Sequence, residues 1–258
     1  MNEVSIMIEF MYFWPFALAI GLCIGSFLNV CIYRVPAGLS VAKGHSMCPA
    51  CGARLRAIDL IPVVSFLALR GKCRHCGAAI SKIYIIVELL TGALFLLSFY
   101  VFGLHLMTLI AWIAISALIA ASFIDFHTME IPDGVSVALA VAGVLSFFLP
   151  GTVWWDHLLG VAAAAGPLLL IHIFSKGRAM GMGDVKLMAA AGLMLGVALS
   201  FFALFAAVIF GAALSLFLLG FKIKKGKDEI PFVPMLSFGI IFSMFLGSPI
   251  VSWYLSLL

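Results

Sequence analysis

Every lysine and arginine of this chain falls into one of three clusters, and the stretches between the clusters are almost wholly apolar. Eight basic residues lie from Arg34 to Lys82, three at Lys176, Arg178 and Lys186, and four at Lys222, Lys224, Lys225 and Lys227. With 65% hydrophobic and 10% charged residues, the chain is too apolar to close a soluble core and still present a wettable surface. The pattern predicts an all-α polytopic membrane protein. A span needs roughly 20 apolar residues, fewer where neighbours shield it. On that ruler about eight transmembrane helices are expected, near 10–32, 84–102, 106–124, 135–149, 157–174, 185–199, 201–220 and 235–257.

Basic residues stay on the cytoplasmic side of a membrane. Eight spans place all three clusters there and both termini outside. Met1 to Glu9 holds no basic residue and carries Glu3 and Glu9, so the first apolar stretch is expected to remain as an anchor and not to be cleaved as a signal. The expected organisation is a first transmembrane helix at 1–33, a cytoplasmic loop domain at 34–83 and a membrane domain at 84–258. The net charge of +4 does not argue for a nucleic-acid partner, because the bases occupy loops and not an aromatic-studded face.

Two acids stand out against this background. Asp125 closes the third expected span in Phe123-Ile124-Asp125-Phe126, and Asp184 opens the sixth in Gly181-Met182-Gly183-Asp184. A carboxylate beside hydrocarbon is costly, so each is a functional-site candidate, and two at the same face suggest a dyad. Two neighbouring carboxyls do not both ionise easily; one keeps a proton while the other stays charged, which is the asymmetry that peptide hydrolysis uses. The plainer reading is that both are helix-end caps or headgroup-facing charges. Ile131-Pro132-Asp133-Gly134 and Gly181-Met182-Gly183 interrupt the apolar pattern beside the two acids, as at sites set into a membrane. Asp133 is expected to cap the next helix, and His127 and Glu130 to be solvated.

The basic loop carries Cys48-Pro49-Ala50-Cys51 and Cys73-Arg74-His75-Cys76, each pair followed by glycine at Gly52 and Gly77. Paired CxxC knuckles match a structural zinc site of Cys48, Cys51, Cys73 and Cys76. Two disulfides are the alternative, but a reducing cytoplasm leaves thiols available as ligands. Cys23 and Cys31 lie in the first span as small hydrophobes. Glu88, a turn or so into the second span, is either a buried partner for a loop cation or part of a site, a structural or loop-docking role being favoured. Asn29 and Arg34 stand where they could hold the loop to the membrane.

Taken in order, Gly25-Ser26-Phe27-Leu28-Asn29-Val30, the paired CxxC elements around Ile61-Pro62, Val87-Glu88-Leu89-Leu90-Thr91-Gly92, Ile124-Asp125 with Pro132-Asp133, and Gly181-Met182-Gly183-Asp184 closely resemble the type IV prepilin peptidases. The resemblance runs from about Gly21 to Pro234. It implies a bacterial inner-membrane aspartyl protease with Asp125 and Asp184 as the catalytic pair at the cytoplasmic face. The substrates would be prepilins and pseudopilins, cut between a short basic leader and an apolar segment. It also implies N-methylation of the new N-terminus from S-adenosylmethionine, an activity for which no residue pattern here supplies a donor site. Ile83 and Ile85 stand where many relatives have Arg and Pro, and Val233 where many have Gly. A proton- or cation-coupled secondary transporter with paired intramembrane acids is the rival reading, although no inverted repeat is visible.

Overall fold

The computed structural model describes residues 3–221 and 230–257, so the four lysines at 222–227 lie outside the described residues. Regular structure within that range is helical apart from two isolated bridges, Met47 with Arg54 and Lys72 with Ala79. The chain divides into two compact units, residues 1–108 and 109–258.

In the first unit, α1 (Glu3–Arg34) is followed by a loop holding a 3₁₀ turn (Ala57–Leu60) and the short α2 (Val64–Ala68), then by α3 (Lys82–Phe102). Ser81 starts α3, its hydroxyl accepting from the Ile83 N–H at 3.3 Å. Helices α1 and α3 run antiparallel and touch backbone to backbone. A methyl group at Gly21 would come within 2.8 Å of Gly92 Cα, and one at Gly25 within 2.7 Å of Glu88 Cα. Glycines four apart share a helix face and let two helices approach where lipid supplies no hydrophobic drive of its own. Asn29 extends the seam, its amide donating to the Tyr84 carbonyl at 3.0 Å. Gly25→Val is expected to force these helices apart and to destabilise the protein by about 1–3 kcal/mol, as overpacking does. A thermal melt in detergent checks it, and an unchanged midpoint would refute the close seam.

The second unit holds most of α4 (Leu106–Thr128), then α5 (Asp133–Ser146), α6 (Trp154–Ser175), α7 (Met182–Gly220), α8 (Val233–Phe242), a π turn (Ser243–Gly247) and α9 (Ser248–Leu255). Among the described residues six helical stretches are long and apolar enough to cross a membrane, not eight. The difference lies in two places. Helix α5 has 14 residues, about 21 Å, less than the roughly 30 Å hydrocarbon core. Helix α7 counts once in that number, although Gly196 divides it into two helices where the two spans 185–199 and 201–220 were expected.

That element is not straight. Gly196 has φ 76° and ψ −178°, a conformation that favours glycine, and its two arms run in opposite directions. Gly192 packs on Gly160 of α6, whereas Ala207 packs on Gly239 of α8 and Gly211 on Met235. Helix α8 is antiparallel to α4, since Ser237 bonds Ser122 and Val233 bonds Asp125. The arm at 182–195 therefore leaves the end of the unit that holds Asp125, and the arm at 197–220 returns toward it. Side chains satisfy the backbone groups freed at the break, as a membrane interior demands. Asp156 accepts from the Val197 N–H at 3.4 Å, His157 Nδ1 lies 2.9 Å from the Leu193 carbonyl, and the hydroxyls of Ser200 and Ser243 donate to Gly196 and Leu199 at 2.5 and 2.8 Å.

Candidate functional site

Helix α4 ends where Met129 turns into the left-handed region at φ 54°, its N–H still bonded to the Asp125 carbonyl at 3.0 Å. Pro132, which cannot donate, then leads into α5. This leaves Asp125 one turn from the helix end, facing inward and only 5% exposed. Its Oδ2 accepts from the Val233 N–H at 3.1 Å. Val233 begins α8, so the carboxylate takes one of the donors that every helix start leaves unpaired, with the helix dipole favouring the negative charge.

Asp184 is the third residue of α7. Its Oδ2 lies 3.4 Å from where a Gly181 methyl would stand, so the glycine leaves the carboxylate room. Gly183 packs against Ile131 so closely that a methyl on the glycine would come within 3.1 Å of the isoleucine Cβ, and this contact pins the 129–132 link to the start of α7. Asp125 and Asp184 both line one cavity of about 330 Å³. The fold thus brings together two acids 59 positions apart, at one end of the helix bundle, with open space between them and the surface.

Asp133 corrects the expectation of a cap. Pro132 is the capping position, and no side-chain cap is made there. Asp133 instead forms an ion pair with Lys186 at 2.7 Å, both side chains being exposed. The pair ties the start of α5 to the first turn of α7 within the wall of the cavity. Glu130 and Met129 also line the cavity, so Glu130 is exposed as expected but belongs to its wall. His127 is exposed, with Nδ1 2.6 Å from the Phe123 carbonyl. Sequence reasoning does not find Val233 as the partner of Asp125. A signal is present in Pro231-Phe232-Val233-Pro234, a helix start with a free donor beside prolines.

In the first unit the two CxxC elements form matching knuckles. Gly52 and Gly77, at φ 69° and 72°, close turns in which their N–H groups bond the carbonyls of Cys48 and Cys73 at 2.9 and 3.0 Å. The sulfurs of Cys48, Cys51, Cys73 and Cys76 all lie within 4.8 Å of one another, and Cys48 to Cys76 is 3.9 Å. Tetrahedral ligands at a zinc–sulfur distance of about 2.3 Å are roughly 3.8 Å apart, whereas a disulfide needs about 2.05 Å. The four thiols are free and compatible with a zinc site. Backbone N–H groups of Cys51 and Ala50 directed at its sulfur lower the Cys48 thiol to about 7. A backbone bond at Ala78 favours the Cys76 thiolate, yet burial and the neighbouring sulfurs push Cys76 up to about 11. His75 is exposed and outside the cluster.

Glu88 serves the same loop. It is buried on α3, and its Oε2 accepts from the Val63 N–H at 2.7 Å. It docks the loop through backbone and not through a loop cation. Arg34, at the end of α1, donates to the carbonyls of Ser40, Lys43 and His45 at 3.0–3.1 Å.

Comparison with known proteins matches residues 19–102 to the bacterial Peptidase A24 N-terminal domain and residues 112–216 to the Type IV leader peptidase family. A protein named prepilin leader peptidase/N-methyltransferase from Bacillus subtilis (strain 168) is 36% identical over 92% of this chain and 96% of its own length. The chain belongs to the type IV leader peptidase family. Proteins of the same name from Neisseria gonorrhoeae and Legionella pneumophila are 34% and 32% identical, over 88% and 95% of this chain and 88% and 96% of their own lengths. No solved structure matches the chain significantly. Membership makes it a multi-pass membrane peptidase, in keeping with its helices. It also disfavours the transporter reading, as does the placing of both acids near one helix end and not at mid-span.

Proposed function

We propose that this peptidase removes the basic leader of prepilins and pseudopilins, with Asp125 and Asp184 as its catalytic pair at the cytoplasmic face of the bacterial inner membrane. The observation that carries this is the single cavity lined by both carboxyls. The ionised carboxylate draws a proton from water, whose oxygen attacks the scissile carbonyl carbon, while the protonated carboxyl donates to the carbonyl oxygen. Collapse of the tetrahedral intermediate breaks the C–N bond, and the departing amine takes up a proton. Val233 holds Asp125 in place through its backbone. Lys176, Arg178 and Lys186 belong to the same end of the second unit as both acids, which supports the cytoplasmic placing.

The names of the relatives support a second reaction, N-methylation of the exposed N-terminus from S-adenosylmethionine. One assay separates the two. Purified protein in lipid is given a prepilin with and without S-adenosylmethionine, and the mature N-terminus is read by mass spectrometry. Leader loss is expected in both arms and a 14 Da gain only with the donor, about one methylene in mass; an uncut substrate would overturn the proposal.

The residues at 34–83 are proposed to form a zinc-binding cytoplasmic domain held by Cys48, Cys51, Cys73 and Cys76. The metal would supply structural cross-linking alone, joining two knuckles that have little apolar core between them. Elemental analysis is expected to find about one zinc per chain. Serine in place of any one of the four cysteines should lower metal content and open the loop to proteases, with a smaller loss of cleavage than in the aspartate variants. A metal-free protein with a protease-resistant loop would contradict the assignment.

A further inference from the structure

Residues 57–69 read Ala-Ile-Asp-Leu-Ile-Pro-Val-Val-Ser-Phe-Leu-Ala-Leu, with Asp59 as the one charged residue. Arg74 pairs with that carboxylate at 2.8 Å. The side chains of Ile58, Leu60, Ile61, Val64 and Leu67 are nonetheless 42–63% exposed. Apolar runs of this length are too short to span a bilayer but suit re-entrant or interfacial segments.

Its contacts show how deep the segment reaches. The Val63 N–H bonds Glu88, six residues beyond Lys82 at the start of α3, about 9 Å along the helix axis. Leu60 and Pro62 share a cavity of about 280 Å³ with Cys23, Ser26, Phe27 and Val30 of α1. Those residues lie four to eleven positions before Arg34, roughly 6–16 Å along α1. Arg34 and Lys82 are the charges that bound the two spans, so both helices place the segment inside the level of the first charges. Its backbone is built for that depth. The N–H groups of Val64, Ser65, Leu67 and Leu69 bond to Pro62, Ile61, Val63 and Ser65 at 2.6–3.1 Å. Val63, at φ 61°, holds a conformation that β-branched residues rarely adopt, with buried Glu88 as its partner. On the neighbouring helices Phe27, Ile86 and Leu89 are 49–50% exposed at comparable depth, so the apolar surface of the segment continues that of the spans.

We propose that residues 58–67 are a re-entrant strap whose exposed apolar side chains contact phospholipid acyl chains, in the leaflet that Arg34 and Lys82 face. The strap anchors the cysteine loop to the membrane independently of the metal. To test this, p-benzoylphenylalanine replaces Ile61, Val64 or Leu67, or Arg54 as the control, in the full chain in phosphatidylcholine nanodiscs. After irradiation, intact mass is expected to show phospholipid adducts several-fold more abundant at 61, 64 and 67 than at 54. Adducts no more abundant than at 54 overturn the proposal. Cross-links instead to a second copy, or to other parts of the same chain, also overturn it. Hydroxyl-radical footprinting of the wild-type protein in the same nanodiscs needs no substitution. Leu67 and Leu39 are 63% and 56% exposed, yet Leu67 is expected to be oxidised several-fold less, and equal oxidation refutes the strap.

Discussion

The Asp125→Asn and Asp184→Asn variants are each expected to insert and fold while losing leader cleavage by a factor of at least about 10²–10⁴. Asparagine keeps the shape of the side chain, and at position 125 it still accepts from the Val233 backbone, so the helix start it holds is retained. What disappears is the carboxyl that exchanges a proton. Neither remaining acid can both take a proton from water and give one to the carbonyl oxygen, because the proposed mechanism needs one charged and one neutral member. Turnover of a purified prepilin measures the effect, with a melting curve to confirm folding. Asp133→Asn is the informative contrast. It breaks an exposed ion pair with Lys186 of a kind worth about 0–1 kcal/mol, so most activity should survive. Substantial cleavage by either of the first two variants would sink the dyad.

Moving the cleavable junction of a prepilin about two helical turns deeper into its apolar segment, roughly 11 Å, is expected to abolish cleavage. Asp125 lies one turn from the end of α4 and Asp184 within the first turn of α7, so the pair has little vertical reach. On the proposed reading the substrate's basic leader stays with the cytoplasm, which would fix the height of the scissile bond. That bond must also be locally unwound, since a helix hides its carbonyls in internal hydrogen bonds; a glycine before the cut favours this. The product N-terminus, read by mass spectrometry, reports the position. A cut at the displaced junction would mean that the acids are not at the rim.

Much of this is legible without any knowledge of contacts. Span positions follow from runs of apolar residues, and the orientation proposed for them from where the basic residues fall; both are local properties, set by transfer from water to hydrocarbon. The cysteine knuckles are equally legible, because two residues between cysteines is the spacing of a tight turn and needs nothing from elsewhere in the chain. The two aspartates can be singled out because a charge at a span end is rare enough to ask for a reason.

Only tertiary structure decided what those residues meet. Asp125 is held by the N–H of Val233, 108 positions away, and Asp133 is claimed by Lys186 instead of its own helix start. The reversal within α7 was expected between 199 and 201, where the apolar pattern pauses at Ser200, but it occurs at Gly196. There Asp156 and His157 from α6 take up the backbone groups that the break releases. Glu88 meets the Val63 backbone for the same kind of reason. Hydropathy says how deep a residue can lie; which donor it finds at that depth depends on helices packing side by side, and no local pattern encodes that.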